Sequence, residues 1–220
     1  MNATALKRLV TFVCCLATVT YLAGTIIPLS ASAQTIIDEW NTVKTPPAPA
    51  LKPVTIDPKS TAFLILDIVK QICNPERRPR CIASVPKIQG FLTKARAKGV
   101  PVIYSLAGAA TPEDILKEVA PLGGEPIVKS RADKFFQTDL EKILKEKGFK
   151  TVIIVGSAAH GAVLYTSSEA AFRGLKVIVP VDGMSSESTY FEQYTAWQLA
   201  NAPGVGSEVT LTRFDMIQFP

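Results

Sequence analysis

Histidine is almost missing from this chain: His160 is the single one in 220 residues. One imidazole cannot supply the multi-histidine ligand sets of most protein zinc sites, and neither a metal nor another cofactor is expected. A dominant charge is missing too. The 24 Lys and Arg stand against 19 Asp and Glu, spread along the chain, which gives no basic footprint for nucleic acid. No internal repeat runs through the sequence, which excludes a solenoid or propeller. Cysteine is scarce, with four in all, and two of these, Cys14 and Cys15, lie in the leading segment Met1–Ala33.

That leading segment reads as a secretory signal. Lys7 and Arg8 form a short basic start, an apolar stretch follows from Leu9 to Ile27, and Ala31-Ser32-Ala33 is a small-x-small cleavage pattern. A retained membrane anchor is the alternative, since about 20 apolar residues span a bilayer. Pro28 and the Ala-Ser-Ala end favour cleavage, with no stable membrane insertion afterwards. Neither Cys14 nor Cys15 follows a lipoprotein motif. Cleavage before Gln34 leaves a mature chain Gln34–Pro220 with a charge of 22 − 19 = +3, because the leader carries two of the basic residues and none of the acidic ones. A chain of that length suits one domain. Export to the periplasm or outside makes the pair Cys73 and Cys81 read as a disulfide stapling a surface loop, the alternative being one reactive thiol. The basic residues Lys70, Arg77, Arg78 and Arg80 of that loop read as solvated surface rather than as a ligand site.

Residues 34–59, rich in Pro and Thr, read as an extended arm, and 60–220 as the domain. Thr61–Leu66 is a continuous apolar run, the mark of a strand buried on both faces. Ser84–Lys98 has a helical apolar face (Val85, Ile88, Leu92, Ala95) with Ser84 as cap and Gly99 as stop. Strands are expected at Val100–Leu106, Pro126–Lys129, Thr151–Val155 and Lys176–Val181, with Val209–Ile217 closing the sheet. Helices are expected at Pro112–Val119, from Thr138 to Gly148, at Ala162–Arg173 and at Tyr190–Ala200. Such β-α alternation predicts an α/β fold, a single-domain, doubly wound, mostly parallel sheet flanked by helices.

In an open sheet of this kind ligands bind beyond the carboxyl ends of the strands. Asp67 ends the first strand, Lys129 the third, and Gly156–Val163 turns from a strand into a helix whose first N–H groups favour an anion. His160 in that turn is a candidate proton carrier at neutral pH. Ser157 beside it is more readily a structural residue than a nucleophile.

Taken together these segments resemble the isochorismatase-like (cysteine hydrolase) family. Thr61-Ala-Phe-Leu-Ile-Leu-Asp67 is similar to the strand that ends in the Asp of the family's Asp-Lys-Cys triad. Val128-Lys129-Ser130-Arg131, running on to Phe135 and Thr138-Asp139-Leu140, is similar to the segment that supplies the Lys. Gly148–Gly156, with Val163, Thr166, Ala170 and Gly174, is similar to the strand-turn-helix of the nucleophile, and Val179-Pro-Val-Asp182-Gly183 to the next strand. The likeness covers roughly residues 60–200 in consistent order. It implies catalytic roles for Asp67 and Lys129 and an oxyanion or ligand site at Gly161, Ala162 and Val163. The departures are as informative. Where the family has Cys before Val, this chain has Ala162-Val163, and a methyl group cannot attack a carbonyl. Val69 stands where the family often has Gln, and the His-containing metal cluster of nicotinamidase-type members has no counterpart.

Three functions remain. One is an isochorismatase-like small-molecule hydrolase that needs no Cys nucleophile, with Asp67 as general acid/base beside Lys129, as the resemblance implies for vinyl-ether cleavage. Export argues against isochorismate itself, a metabolite of cytosolic biosynthesis. Another is a catalytically inactive pocket protein that binds a small carbonyl or carboxylate ligand. The third is an interaction protein, a homo-oligomer, in which the Pro-rich arm and the last helix (Tyr190, Tyr194, Trp197) bury against a second subunit, aromatic residues at such spacing being more often core or interface than cofactor contacts.

Overall fold

The computed structural model describes residues 35–220; the expected signal sequence at 1–33 lies outside them. The described residues fall into two units, divided between Thr45 and Pro46. In the first, the short helix α1 (Ile36–Glu39) is capped by Thr35, whose N–H and Oγ both donate to Asp38 at 2.8 and 2.9 Å.

The second unit runs β1 (Val54–Thr55), β2 (Thr61–Leu66), α2 (Pro79–Ala97), β3 (Val102–Leu106), β4 (Ile127–Lys129), α3 (Leu140–Glu146), β5 (Thr151–Ser157), α4 (Leu164–Phe172), β6 (Lys176–Pro180), β7 (Met184–Ser185), α5 (Thr189–Asn201), β8 (Val209–Thr212) and β9 (Ile217–Gln218). The main sheet has the order β4-β3-β2-β5-β6-β8, every pair parallel, and β7 adds to the end of β5. This is the expected doubly wound α/β sheet. All six residues of β2 are buried, as a strand covered on both faces requires. Phe63 and Ile65 face Val85, Ile88 and Leu92 of α2, while Leu64 and Leu66 pack with Leu140 and Leu144 of α3, Ala170 of α4 and Leu199 of α5.

Several boundaries differ from the sequence reading. The helix expected from Ser84 begins at Pro79, which fits a first turn because its missing N–H has no partner to lose there. Ser84 is therefore inside α2, buried, its hydroxyl donating to the Cys81 carbonyl at 2.8 Å. The segment 112–119 is two 3₁₀ turns rather than one helix. The last segment does not close the main sheet as one strand: β8 does, and β9 instead pairs with β1. The latter half of the Pro-rich arm is thus part of the domain, held by Lys52 N–H to Leu211 O at 2.9 Å and Ile56 N–H to Gln218 O at 3.0 Å. Tyr190, Tyr194 and Trp197 are exposed rather than core. Among the described residues no helix is long and apolar enough to cross a membrane.

Candidate functional site

The strand order places the crevice. The chain leaves β2 toward β3 on one side and β5 toward β6 on the other, so the connections diverge beyond the carboxyl ends of β2 and β5. Leu66 pairs with Gly156, which sets Asp67 and the turn after β5 side by side. The approach is so close that a Cβ on Gly156 would lie 2.1 Å from the Leu66 carbonyl oxygen, and its φ of +137° is one that side chains rarely adopt.

Asp67 turns out of β2 with φ +54°, in the left-handed region where Asp is among the residues that tolerate it. It is 3% exposed. Its N–H donates to Ser105 O at 3.3 Å, the Ser105 hydroxyl donates back to Oδ1 at 2.7 Å, and an ammonium lies 2.8 Å from Oδ2. Burial pushes the Asp67 carboxyl above the ordinary carboxylate range; Lys134, Ser105 and Arg78 pull the other way without cancelling it.

That ammonium belongs to Lys134, not to Lys129. Lys129 ends β4 with its side chain outward, exposed, and its Nζ donates to the Ala110 carbonyl at 3.0 Å. Lys134 has no exposed surface. Its Nζ is shared among the Asp67 carboxylate, the Ser130 carbonyl at 3.4 Å and the Arg131 carbonyl, so its three N–H bonds are all engaged. The loop carrying it is pinned by Thr166, whose Oγ1 accepts from Lys134 N–H at 3.2 Å, and by Thr138, whose hydroxyl donates to Lys134 O at 2.6 Å. The next residue, Phe135, is buried. An anchored loop thus feeds the lysine inward. Neither Ser105 nor Lys134 stood out in sequence: the first is a lone polar residue in an apolar strand, and the second sits one turn of loop beyond the residue the resemblance selects.

The turn after β5 is a single π-helical turn, Ala159–Val163, preceded by a cis peptide between Ser157 and Ala158. Such turns recur at functional sites. The Ala158 carbonyl accepts from both Gly161 N–H (3.1 Å) and Val163 N–H (3.2 Å). Two of the three expected oxyanion donors are therefore already committed, and Ala162 between them is buried, 4% exposed. The Ser157 hydroxyl donates to Ser185 O at 3.2 Å, a structural role that ties β5 to β7. His160 stacks on Phe191 at 4.1 Å, with Nδ1 at 2.8 Å from Ser186 Oγ and Nε2 at 3.7 Å from Glu187 Oε1. Among the described residues no group of three or more His, Cys, Asp and Glu is placed to hold a metal ion.

Across from this turn, Cys73 and Cys81 are joined in a disulfide that brackets the loop before α2. Arg78, the last residue before that helix, is not solvated surface: its side chain is 11% exposed and its Nε meets Glu187 Oε2 at 3.2 Å. Asp182, after β6, accepts from Phe214 N–H at 3.2 Å and meets Lys87 at 3.4 Å, a support for the chain end rather than a member of the crevice.

A profile of the isochorismatase domain matches residues 61–213. The chain is 31% identical over 144 residues to a secreted isochorismatase effector of Verticillium dahliae, a match covering 60% of this chain and 76% of that one. It is 28% identical over 148 residues to an N-carbamoylsarcosine amidase of Arthrobacter, covering 54% of this chain and only 56% of that one. Its fold is similar to that of an isochorismatase-like hydrolase from Alkaliphilus metalliredigens, with a TM-score of 0.64 and 23% identity over 71% of this chain and 95% of the other. A domain match of this extent, on the same sheet, makes the chain a member of the isochorismatase-like hydrolase family.

Proposed function

We propose that this protein is an exported small-molecule hydrolase that works without a covalent intermediate, with Asp67 as the general acid and Lys134 as its charge partner. The observation that carries the reading is a carboxyl buried at the switch point of the sheet, its proton affinity raised by that burial. A carboxylic acid that holds its proton more tightly than a free one is the kind of donor that proton transfer to a carbon or oxygen uses. On a vinyl ether, Asp67 would give its proton to the terminal alkene carbon, and the ether oxygen would stabilise the resulting cation. Water then adds to that cation and loses a proton back to Asp67, and the hemiketal breaks into an alcohol and a ketone. Ala162 excludes thioester chemistry at the nucleophile position, and nothing in this sequence of steps asks for it. In this reading His160, beside Ser186 and Glu187, carries the water's proton on its way to Asp67.

Export is supported by the leader-like segment Met1–Ala33 and by a relative that is itself secreted. That relative, named a secreted isochorismatase effector, supports keeping isochorismate among the candidate substrates.

One observation favours the other reading, a pocket protein without turnover. Lys134 is wholly buried and its donors are all engaged, which is what a purely structural ion pair also shows. The test is turnover of isochorismate, N-carbamoylsarcosine and a simple lactam by the mature protein and by Asp67→Asn. Turnover of the vinyl ether that Asp67→Asn lowers by about 100-fold or more supports the hydrolase. Undetectable turnover of all three compounds favours the pocket protein, and turnover that Asp67→Asn leaves intact removes Asp67 from the mechanism.

A further inference from the structure

We infer that Arg78 is the residue that recognises the ligand, and that the ligand carries a carboxylate. The inference rests on the Asp67 crevice being where a small molecule binds, and it adds the chemical class of that molecule.

Four observations converge on this guanidinium. First, it is largely withdrawn from water, with 11% of its side chain exposed, although Arg is rarely buried without partners that use its donors. Secondly, its only hydrogen bond among the described residues is from Nε to Glu187 Oε2 at 3.2 Å, which leaves both terminal nitrogens without a protein acceptor. A guanidinium offers five N–H donors in a planar fork, so four are open. Thirdly, it is tied to the turn that holds Ala162, because its partner Glu187 lies 3.7 Å from His160 of that turn, and its charge acts on the Asp67 carboxyl. Fourthly, its backbone is fixed. Arg78 N–H donates to Asn74 O at 2.9 Å, Asn74 Oδ1 accepts from Arg77 N–H at 2.8 Å, and the Cys73–Cys81 bond closes the loop around them.

The other cation of the crevice cannot do this work, because the N–H bonds of Lys134 are spent on Asp67 and two carbonyls. A planar fork with two parallel open donors matches the two oxygens of a carboxylate. Glu187 shows that this guanidinium accepts a carboxylate partner. A dianionic phosphate fits less well, since the Glu187 carboxylate already sits 3.2 Å from Arg78 Nε and would repel a second full negative charge. Glu187 thus competes with the ligand for Arg78 and sets how tightly the ligand is held.

Calorimetric titration of the mature protein with benzoate, pyruvate and N-carbamoylsarcosine, each beside its neutral amide, tests this without requiring turnover. Inorganic phosphate and phenyl phosphate form the second arm. At least one carboxylate should bind more tightly than its amide. Arg78→Gln should weaken that carboxylate by about 10- to 100-fold while leaving the amide unchanged, the loss of charge-assisted hydrogen bonds. Arg78→Lys, which keeps the charge without the fork, should fall between the two. Glu187→Gln should tighten the carboxylate and not the amide. Thermal melts of each variant show whether it is folded. The inference is overturned if no carboxylate outbinds its amide, if Arg78→Gln and Arg78→Lys leave the carboxylate-to-amide ratio unchanged, or if a phosphate outbinds every carboxylate through Arg78. Carboxylate binding through Arg78 in a protein that hydrolyses nothing would sink the hydrolase and leave this assignment standing.

Discussion

Replacing Lys134 by Met removes the ammonium but keeps a side chain of similar length, and it separates two lysines that sequence likeness confuses. In the native fold Lys134 and Asp67 are both withdrawn from water, 0% and 5% exposed in their side chains. Breaking a buried pair from one side strands the other charge, at a cost of about 3–5 kcal/mol. At roughly 3 °C per kcal/mol for a domain of this size, the melting temperature should drop by about 10 °C. The cost depends on pH in a definite direction. Without Lys134 the folded Asp67 carboxyl rises further above its unfolded value, so the folded state holds its proton over a wider range. Stability from such a group is full below the unfolded value and is lost as pH rises through the folded one. The Lys134→Met penalty should therefore be larger at pH 8 than at pH 5 in urea unfolding. Adding Asp67→Asn should recover part of it, because no buried charge is then left alone. Lys129→Met, at an exposed strand end, should change stability by no more than about 0.5 kcal/mol. A larger loss from Lys129→Met than from Lys134→Met, or a Lys134→Met penalty that shrinks with rising pH, would refute the pairing.

Two further outcomes follow from the frame around the site. Gly156→Ala should lower stability by more than about 3 kcal/mol, or abolish folding, since its Cβ would lie 2.1 Å from the Leu66 oxygen at a φ of +137°; an alanine variant that melts within a degree or two of the parent would contradict the close approach. Opening the Cys73–Cys81 bond with a reductant should cost about 2.5 kcal/mol from chain entropy alone for a loop of this length, seen as a lower melting temperature that the Cys73→Ser, Cys81→Ser double variant reproduces and that reductant no longer shifts. Equal melts with and without reductant would refute a stabilising bond.

Much of the frame was legible in the sequence because it rests on patterns that burial enforces. The continuous run Thr61–Leu66 and the β-branched run from Thr151 each declare a strand covered on both faces, and both became central strands. Asp67 and the Ala162 turn were legible for a related reason: they stand at strand ends, and topology decides where those ends go. What was hidden depends on where side chains point. Lys129 ends β4 and carries the family likeness, yet its side chain is exposed and bonded to the Ala110 carbonyl, while Lys134 is turned inward by a loop that Thr138, Phe135 and Thr166 anchor. Arg78 sat among basic residues that read as solvated surface, and only the fold brings Glu187, far along the chain, to its Nε. The N–H groups of Gly161 and Val163 were expected to face a ligand; a π-helical turn folds both onto Ala158, and composition carries no trace of that geometry.

The account turns on Asp67 delivering a proton, and the pH dependence of kcat/KM for vinyl-ether hydrolysis reads that directly. Because burial raises the carboxyl above its ordinary range, the rate should hold at low pH and fall as pH climbs through the raised value, and Asp67→Asn should lose both the rate and that descending limb. A rate that instead rises with pH over the same interval, or an Asp67→Asn profile that overlays the parent, would show that the proton comes from elsewhere.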